Sequence, residues 1–463
     1  MFVRRAFLDV IGTLPTSEEA SGFLASKDAN KRSALIDRLL DRDEFADYQA
    51  MKWSDLLRIK AEFPINLWPN AAQAYHHWIR SAIRENQPYD RFVRELLTAS
   101  GSNFRAPPVN FYRAMQSKDP HAIARTVALT FMGTRAEKWP KEELANMAAF
   151  FSEVGYKETG EWKEEIVFFD PAKGGKNAPV VATFPDRTQT RLDRDPREKF
   201  ADWLIASKNP WFARNIVNRV WSWLLGRGIV QEPDDIRRDN PPENPELLAY
   251  LERELVSARY DLKRIYRLIL NSQTYQLSSI PRRPLAGASG SEGGDTHFAY
   301  YPLRRIEAEV LIDALCQISG TGETYTSAIP EPFTVMPEGQ RSIALPDGSI
   351  TSSFLELFGR PPRDTGLESE RNNRPSADQT LHMLNSTHIY RKIEQGPKLQ
   401  ALIRNIKNPQ ELVTQLYLTI LSRTPTAEEW KIVTAHSKVA KGRDAMIDLA
   451  WALINTAEFQ YRH

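Results

Sequence analysis

Cysteine is nearly missing from this sequence, with Cys316 the only one in 463 residues. That excludes an intrachain disulfide framework, a multi-cysteine zinc site and covalent haem attachment through a CxxCH motif. Long hydrophobic runs are missing too, since no apolar stretch approaches the roughly 20 residues that span a bilayer. The chain opens on Met1-Phe2-Val3-Arg4-Arg5 without a signal-peptide h-region, so read from this start it is expected to be soluble and without an export signal. Charge of one sign is lacking as well: 61 Lys and Arg face 59 Asp and Glu, a net +2. The arginines alternate with acids instead of forming a basic tract, which argues against nucleic acid as a partner while leaving room for a local basic groove.

Catalytic and metal motifs are equally scarce. There is no HExxH helix, no compact zinc-ligand spacing and no GxSxG nucleophile elbow. His76 and His77 are adjacent and cannot share one helical face, while His382 and His388 are separated by an expected helix end. Cys316 sits in the apolar pattern of Leu311, Ile312 and Leu315, which points to burial rather than reactivity.

What is present, 41% apolar and 26% charged residues, suffices for a sizeable core and several structural units. The first 100 residues read as consecutive helices, with Thr16 and Glu19 at capping-box spacing and Asp119-Pro120 opening a further helix. Ile166-Val167-Phe168-Phe169 and Val180-Val181-Ala182-Thr183-Phe184 read as short strands. Helical periodicity returns from Pro196, residues 281–297 are rich in Pro, Gly and Ser and read as an exposed connection, and residues 321–376 look irregular. The expected fold is mainly α: a multi-helical two-domain protein with a small β-containing insertion and long irregular loops. Its parts are an N-terminal helical domain over 1–154, an insertion or linker over 155–195 and a mainly helical domain over 196–463. Weak echoes link Leu39-Leu40 to Trp53 with Leu204-Ile205 to Trp221, and Tyr260-Asp261 to Asn271-Ser272 with Arg443-Asp444 to Asn455-Thr456; duplicated helical hairpins would produce them.

Three polar groupings are candidate sites. Asp234 and Asp235 offer oxygen ligands for Ca²⁺ or a carboxyl for acid/base work, the structural alternative being a helix cap or pairing with Arg219 or Arg237. Arg214, Asn218 and Arg219 share a helix with Trp221, and Arg304, Arg305, Glu307 and Glu309 form a further cluster. Guanidinium forks clamp carboxylates, phosphates or sulfated sugars, whereas an internal ion-pair network would use the same residues. Trp203, Trp211, Trp221 and Trp223 admit a carbohydrate-stacking reading beside one of core packing.

The strings Phe2-Val3-Arg4-Arg5-Ala6-Phe7-Leu8-Asp9-Val10-Ile11-Gly12 and Lys31-Arg32-Ser33-Ala34-Leu35-Ile36-Asp37-Arg38-Leu39-Leu40 resemble the opening of the planctomycete cytochrome-associated family PSCyt2, or DUF1549. Asn209-Pro210-Trp211-Phe212-Ala213-Arg214, Asn218-Arg219-Val220-Trp221, Gly226-Arg227-Gly228-Ile229-Val230, Arg304-Arg305-Ile306-Glu307-Ala308-Glu309 and Phe358-Gly359-Arg360-Pro361-Pro362-Arg363 resemble its companion PSD1, or DUF1553. Members resemble one another around a CxxCH-type segment; here the corresponding run is Phe131-Met132-Gly133-Thr134-Arg135-Ala136-Glu137-Lys138-Trp139-Pro140, without cysteine or histidine. The family's haem-related role therefore does not carry over, and no cofactor is expected beyond Ca²⁺ at Asp234 and Asp235. The resemblance implies a periplasmic or extracellular home, with an envelope protein, a polysaccharide or a cytochrome-containing protein as partner. The function expected is that of a non-haem accessory or ligand-binding protein of the bacterial envelope. A carboxylate-dependent hydrolase acting on polysaccharide and a purely structural scaffold are the alternatives; an open cleft lined by the candidates would favour binding, and a sealed ion-pair network scaffolding.

Overall fold

The structure is a computed structural model and describes residues 2–174, 180–280, 298–336, 338–440 and 442–463. Its first helix, α1 (Phe2–Ile11), is buried at every residue after Phe2, including Arg4, Arg5 and Asp9. A helix sunk this deeply presents no polar face to water, so its charges need partners inside the protein. Arg4 donates to the carbonyls of Ile420 (2.9 Å) and Phe459 (2.7 Å), and Arg5 to those of Tyr275 (2.6 Å), Leu277 (2.9 Å) and His463 (2.9 Å). Asp9 accepts from the hydroxyls of Tyr275 and Tyr301, both at 2.8 Å, and lies 3.2 Å from guanidinium nitrogens of both Arg304 and Arg462. The start of the chain is thereby locked to its middle and its end.

Around α1 stand α2 (Ser17–Ala25), α3 (Lys31–Leu40), α4 (Asp43–Leu56), α5 (Pro69–Arg84), α6 (Tyr89–Thr98), α7 (Asn110–Arg113), α8 (Pro120–Val127) and α9 (Lys141–Ala148). The local signals act as the sequence predicts: Thr16 Oγ1 accepts from the Glu19 N–H, whose carboxylate accepts from Thr16 N–H, and Asp119 caps α8 through the N–H groups of His121 and Ala122. The insertion is small: β1 (Gly101–Ser102), β2 (Val154–Glu158) and β3 (Glu165–Phe169) form an antiparallel sheet in the order β1-β3-β2, and β4 (Val181–Thr183) pairs with β5 (Gln189–Arg191). Next come α10 (Pro196–Leu204), α11 (Phe212–Leu225), α12 (Pro245–Ser257), α13 (Leu262–Leu270) and β6 (Arg304–Arg305). The remainder comprises α14 (Ala308–Ser319), α15 (Ser353–Leu357), α16 (Ala377–Asn385), α17 (Thr387–Gln395), α18 (Pro397–Asn405), α19 (Pro409–Leu421), α20 (Ala427–His436), α21 (Gly442–Ile454), α22 (Ala457–Gln460) and β7 (Tyr461–Arg462), which pairs with β6. The fold is mainly helical with a small β-containing insertion, as the periodicity predicts. The expected connection at 281–297 lies outside the described residues. No helix among the described residues is long and apolar enough to cross a membrane.

Apolar side chains gather in two cores. The first joins α1 and α3–α9 to α10–α13; α10 packs on α6, and α13 on α3. The second is built from α14 onward, with Leu8, Tyr48 and Met51 of the N-terminal helices and Leu14 of the α1–α2 connection reaching into it. Apart from those four and from Ile329, which packs on the first core, the members of the two cores separate between Tyr301 and Ile306.

An internal likeness that sequence reading missed relates the two ends of the chain. Pro15-Thr16-Ser17-Glu18-Glu19 enters α2 and Pro425-Thr426-Ala427-Glu428-Glu429 enters α20, each as a full capping box. In each, one arginine clasps the capping-box glutamate and a second glutamate that precedes a buried phenylalanine. Arg42 meets Glu19 (2.8 Å) and Glu44 (2.5 Å) before Phe45; Arg423 meets Glu429 (2.7 Å) and Glu458 (2.6 Å) before Phe459.

Asp9→Ala leaves two arginines and two tyrosine hydroxyls without their shared acceptor. It is expected to lower unfolding stability by about 3–5 kcal/mol, since removing one partner strands buried charge. Urea titration followed by circular dichroism checks this, and a change below about 1 kcal/mol would show that Asp9 does not hold the ends together.

Candidate functional site

The C-terminal end of α11 is finished by a left-handed Gly226 (φ +75), where a Cβ would lie 2.1 Å from Arg304 Cδ. Arg304 crosses that space to donate to the carbonyls of Trp223 (2.9 Å) and Leu224 (2.6 Å), satisfying the open end of the helix before reaching Asp9. Just beyond, Asn218 grips the loop at Val230 from both sides, donating to its carbonyl (3.0 Å) and accepting from its N–H (2.9 Å). These contacts shape one wall of a cleft of about 740 Å³ between the cores. Its lining comes from Lys52, the end of α11, residues 231–233, the segment 303–307, the loop 368–375 and the last strand.

Most charges in this wall are compensated. Glu307 accepts from the Tyr48 hydroxyl (3.1 Å), lies 3.4 Å from Lys52 Nζ and is clasped by Arg462. Glu309 receives Arg371 in a two-pronged contact (2.7 and 3.0 Å), and Arg371 also reaches Asp55 (2.7 Å). Buried Arg219 pairs with buried Asp234 (2.6 Å) and with Glu368 (3.4 Å), whose own N–H donates to Asp234 at 2.6 Å. Trp223 Nε1 donates to Glu368 at 3.0 Å. Burial opposes ionisation of Glu307, but Arg462 and Lys52 outweigh it and hold the carboxyl well below the usual range. For Glu309 the same contest is won by Arg371. Glu368 goes the other way: loss of solvent and the nearby Asp234 lift its carboxyl, against Arg219.

Two arginines differ from these. Arg305 donates to Gln379, the capping-box residue of α16, and its guanidinium lies 5.0 Å from the centre of the Phe358 ring. Its Nε is buried without a partner, and no carboxylate among the described residues pairs with it. Burial pulls its pKa down from the usual arginine value. Arg374 stands exposed on the loop edge of the cleft, likewise without an acidic partner among the described residues.

The candidates read from the sequence separate on this geometry. Arg304, Arg305 and Glu307 line the cleft; Glu309, Arg219, Asn218 and Asp234 support it from behind. Arg214 is not in the lining and pairs with Glu252 (2.7 Å). Asp234 and Asp235 do not act as a pair: the first is committed to Arg219 and Glu368, the second to Arg237 (3.1 Å) and Lys138 (3.7 Å). A calcium ion there would have to displace Arg219, and among the described residues no three metal-holding side chains gather anywhere. The tryptophan grouping is mainly core: Trp221 packs edge-on to Phe298, and Trp203 lies against Phe184 and Trp211. Trp223 alone of these four reaches the cleft. Lys52, Glu368, Arg371, Arg374 and Arg462 were not singled out from sequence; the run Arg371-Asn372-Asn373-Arg374 was the one available signal. The run aligned with the family's CxxCH segment packs beside the cleft, Thr134 donating to the Ile236 carbonyl (3.1 Å) and Arg135 meeting Glu232 (2.9 Å).

A family model described as PSD1, protein of unknown function (DUF1553), matches residues 196–437, and one described as PSCyt2, protein of unknown function (DUF1549), matches residues 1–155. Comparison with curated proteins and with solved structures returned no match.

The depressed carboxyls set a pH dependence. Glu307 and Glu309 titrate in the folded protein below their ordinary 4.5, so their stabilisation is complete above that value and is lost as pH falls beneath it. The thermal midpoint is expected to hold above about pH 5 and to drop steeply below it. Glu307→Gln is expected to lower the midpoint at neutral pH and flatten the acid slope; scanning calorimetry across this range checks both.

Proposed function

The chain belongs to the PSD1 (DUF1553) family, with a PSCyt2 (DUF1549) unit ahead of the PSD1 region, and from that premise we propose that it is an accessory ligand-binding protein of the bacterial envelope whose cleft takes an anionic, oxygen-rich ligand. The observation that carries this reading is Arg305. In a wall where other buried charges have opposite partners, it is positioned by an amide and an aromatic ring and has no carboxylate among the described residues. A guanidinium so held is oriented in advance for a carboxylate, sulfate or phosphate, and Arg374 offers a second cation on the same rim. The cleft volume of about 740 Å³ suits a ligand of a few sugar units. An acidic polysaccharide segment is the partner we propose; the envelope location, and a cytochrome-containing protein as a further partner, rest on the family resemblance.

Glu368 favours a second reading. It lines the cleft with its carboxyl lifted above the ordinary range, the condition for a general acid, so a hydrolase here would use Glu368 rather than Asp234 or Asp235. In that case Glu368→Gln would abolish release of reducing ends from an acidic polysaccharide while leaving binding intact.

Isothermal titration with oligogalacturonate and with a sulfated hexasaccharide tests the binding reading. At least one is expected to bind, and Arg305→Gln to weaken it by roughly 1.5–3 kcal/mol, the worth of a charged hydrogen bond. Absence of binding to both, or affinity unchanged in Arg305→Gln and Arg374→Gln, overturns the proposal.

A further inference from the structure

Away from the cleft, three segments distant in sequence bring their aromatic rings together. Trp68, Trp162 and Phe333 meet with centroid separations of 4.8, 5.5 and 5.4 Å and interplanar angles of 67°, 58° and 66°. Trp162 is 61% exposed and Phe333 42%, values at odds with a core role for side chains of this size. Lys163 lies over Trp68 (5.3 Å) and Trp162 (5.8 Å), bracing the cluster by cation–π contact.

The cluster adjoins an open pocket of about 690 Å³ on α5. Asn70, two residues after Trp68, and Val335, two residues after Phe333, both line it. Asn70 is exposed and Gln73 half-buried, and neither side-chain amide hydrogen-bonds to another described residue. His76 is buried, its Nε2 lacks a partner, and burial followed by the nearby Arg363 pushes its pKa down to about 3, so the ring is neutral. The acid and the base in the lining, Asp47 and Arg80, are paired with each other. The site thus joins exposed aromatic surface to two solvent-facing amides and one buried imidazole nitrogen without a partner.

We propose that this aromatic platform and the α5 pocket form a second site, which binds a neutral, β-linked glycan. Sugars of gluco or galacto configuration present a flat C–H face suited to an indole and a rim of hydroxyls suited to amides and imidazole. Arg80 in the lining is held by Asp47 and Lys163 beside the platform lies over the rings of Trp68 and Trp162, so an anion would compete with those contacts, while a lipid surface would leave the amides unsatisfied. The site shares no lining residue with the charged cleft, so it stands or falls independently of the proposal made there.

Affinity electrophoresis of the intact chain in gels containing hydroxyethylcellulose, laminarin or galactomannan tests this, with titration of the matching hexasaccharides by tryptophan fluorescence. Retardation is expected in at least one gel, with at least a tenfold loss of affinity in Trp162→Ala and in the double variant Asn70→Ala/Gln73→Ala, and none in Arg305→Gln. Circular dichroism confirms folding of each variant; should Trp162→Ala misfold, the double variant decides. Unretarded migration in all three gels, or retardation that survives both the tryptophan and the amide substitutions, overturns the proposal.

Discussion

Asp9 is the charge around which this chain closes. One buried carboxylate gathers donors from Tyr275, Tyr301, Arg304 and Arg462, and the helix that carries it has no solvent face. Taking such groups out of water costs several kcal/mol for each ion, so the arrangement holds only when every partner arrives. Two of the partners belong to the β6–β7 pair, which includes the last residues of the chain, and two to the end of the first core. The two cores are consequently not separable at the boundaries of the family models: α1 cannot be buried without the C-terminal strand, nor the strand neutralised without α1.

The same strand explains why the cleft holds an arginine with no carboxylate partner among the described residues. Arg304 and Arg305 are neighbours in sequence and differ in fate because successive residues of a strand point to opposite sides. Arg304, paired in register with Arg462, turns toward Asp9 and the end of α11; Arg305, opposite Tyr461, turns toward Gln379 and Phe358. One side of β6 is thereby spent on Asp9 and the end of α11, while the other sets Arg305 against Gln379 and Phe358.

Sequence reading reached what is local. The caps at Thr16 and Asp119, the strand at Ile166–Phe169 and the helical character of both domains depend on residues a few positions apart. The cleft depends on distant ones. Lys52, Glu368, Arg371 and Arg462 meet Glu307, Glu309 and Arg219 across separations that no spacing rule registers. The tryptophans show the same limit. Trp221 and Trp223 are both buried, and which of them also meets the cleft is set by the distant segments packed on α11. Trp68 and Trp162 stand alone in sequence and become a cluster only through the turn at the start of α5 and the loop between β2 and β3.

The two ends of the chain show how far physical need, rather than position, decides such clusters. In both terminal hairpins a capping-box glutamate is clasped together with a second glutamate that precedes a buried phenylalanine, but the arginine arrives by different routes. Arg42 stands at the entry to α4 beside Glu44, whereas Arg423 follows α19 and reaches forward to Glu458. A carboxylate pair beside a buried ring needs a guanidinium fork, and either backbone position supplies one. Arginines in this protein are structural where the fold supplies a carboxylate, as for Arg304, or main-chain carbonyls, as for Arg4 and Arg5. Arg305, oriented with no carboxylate partner among the described residues, is the position on which the proposed anionic ligand rests.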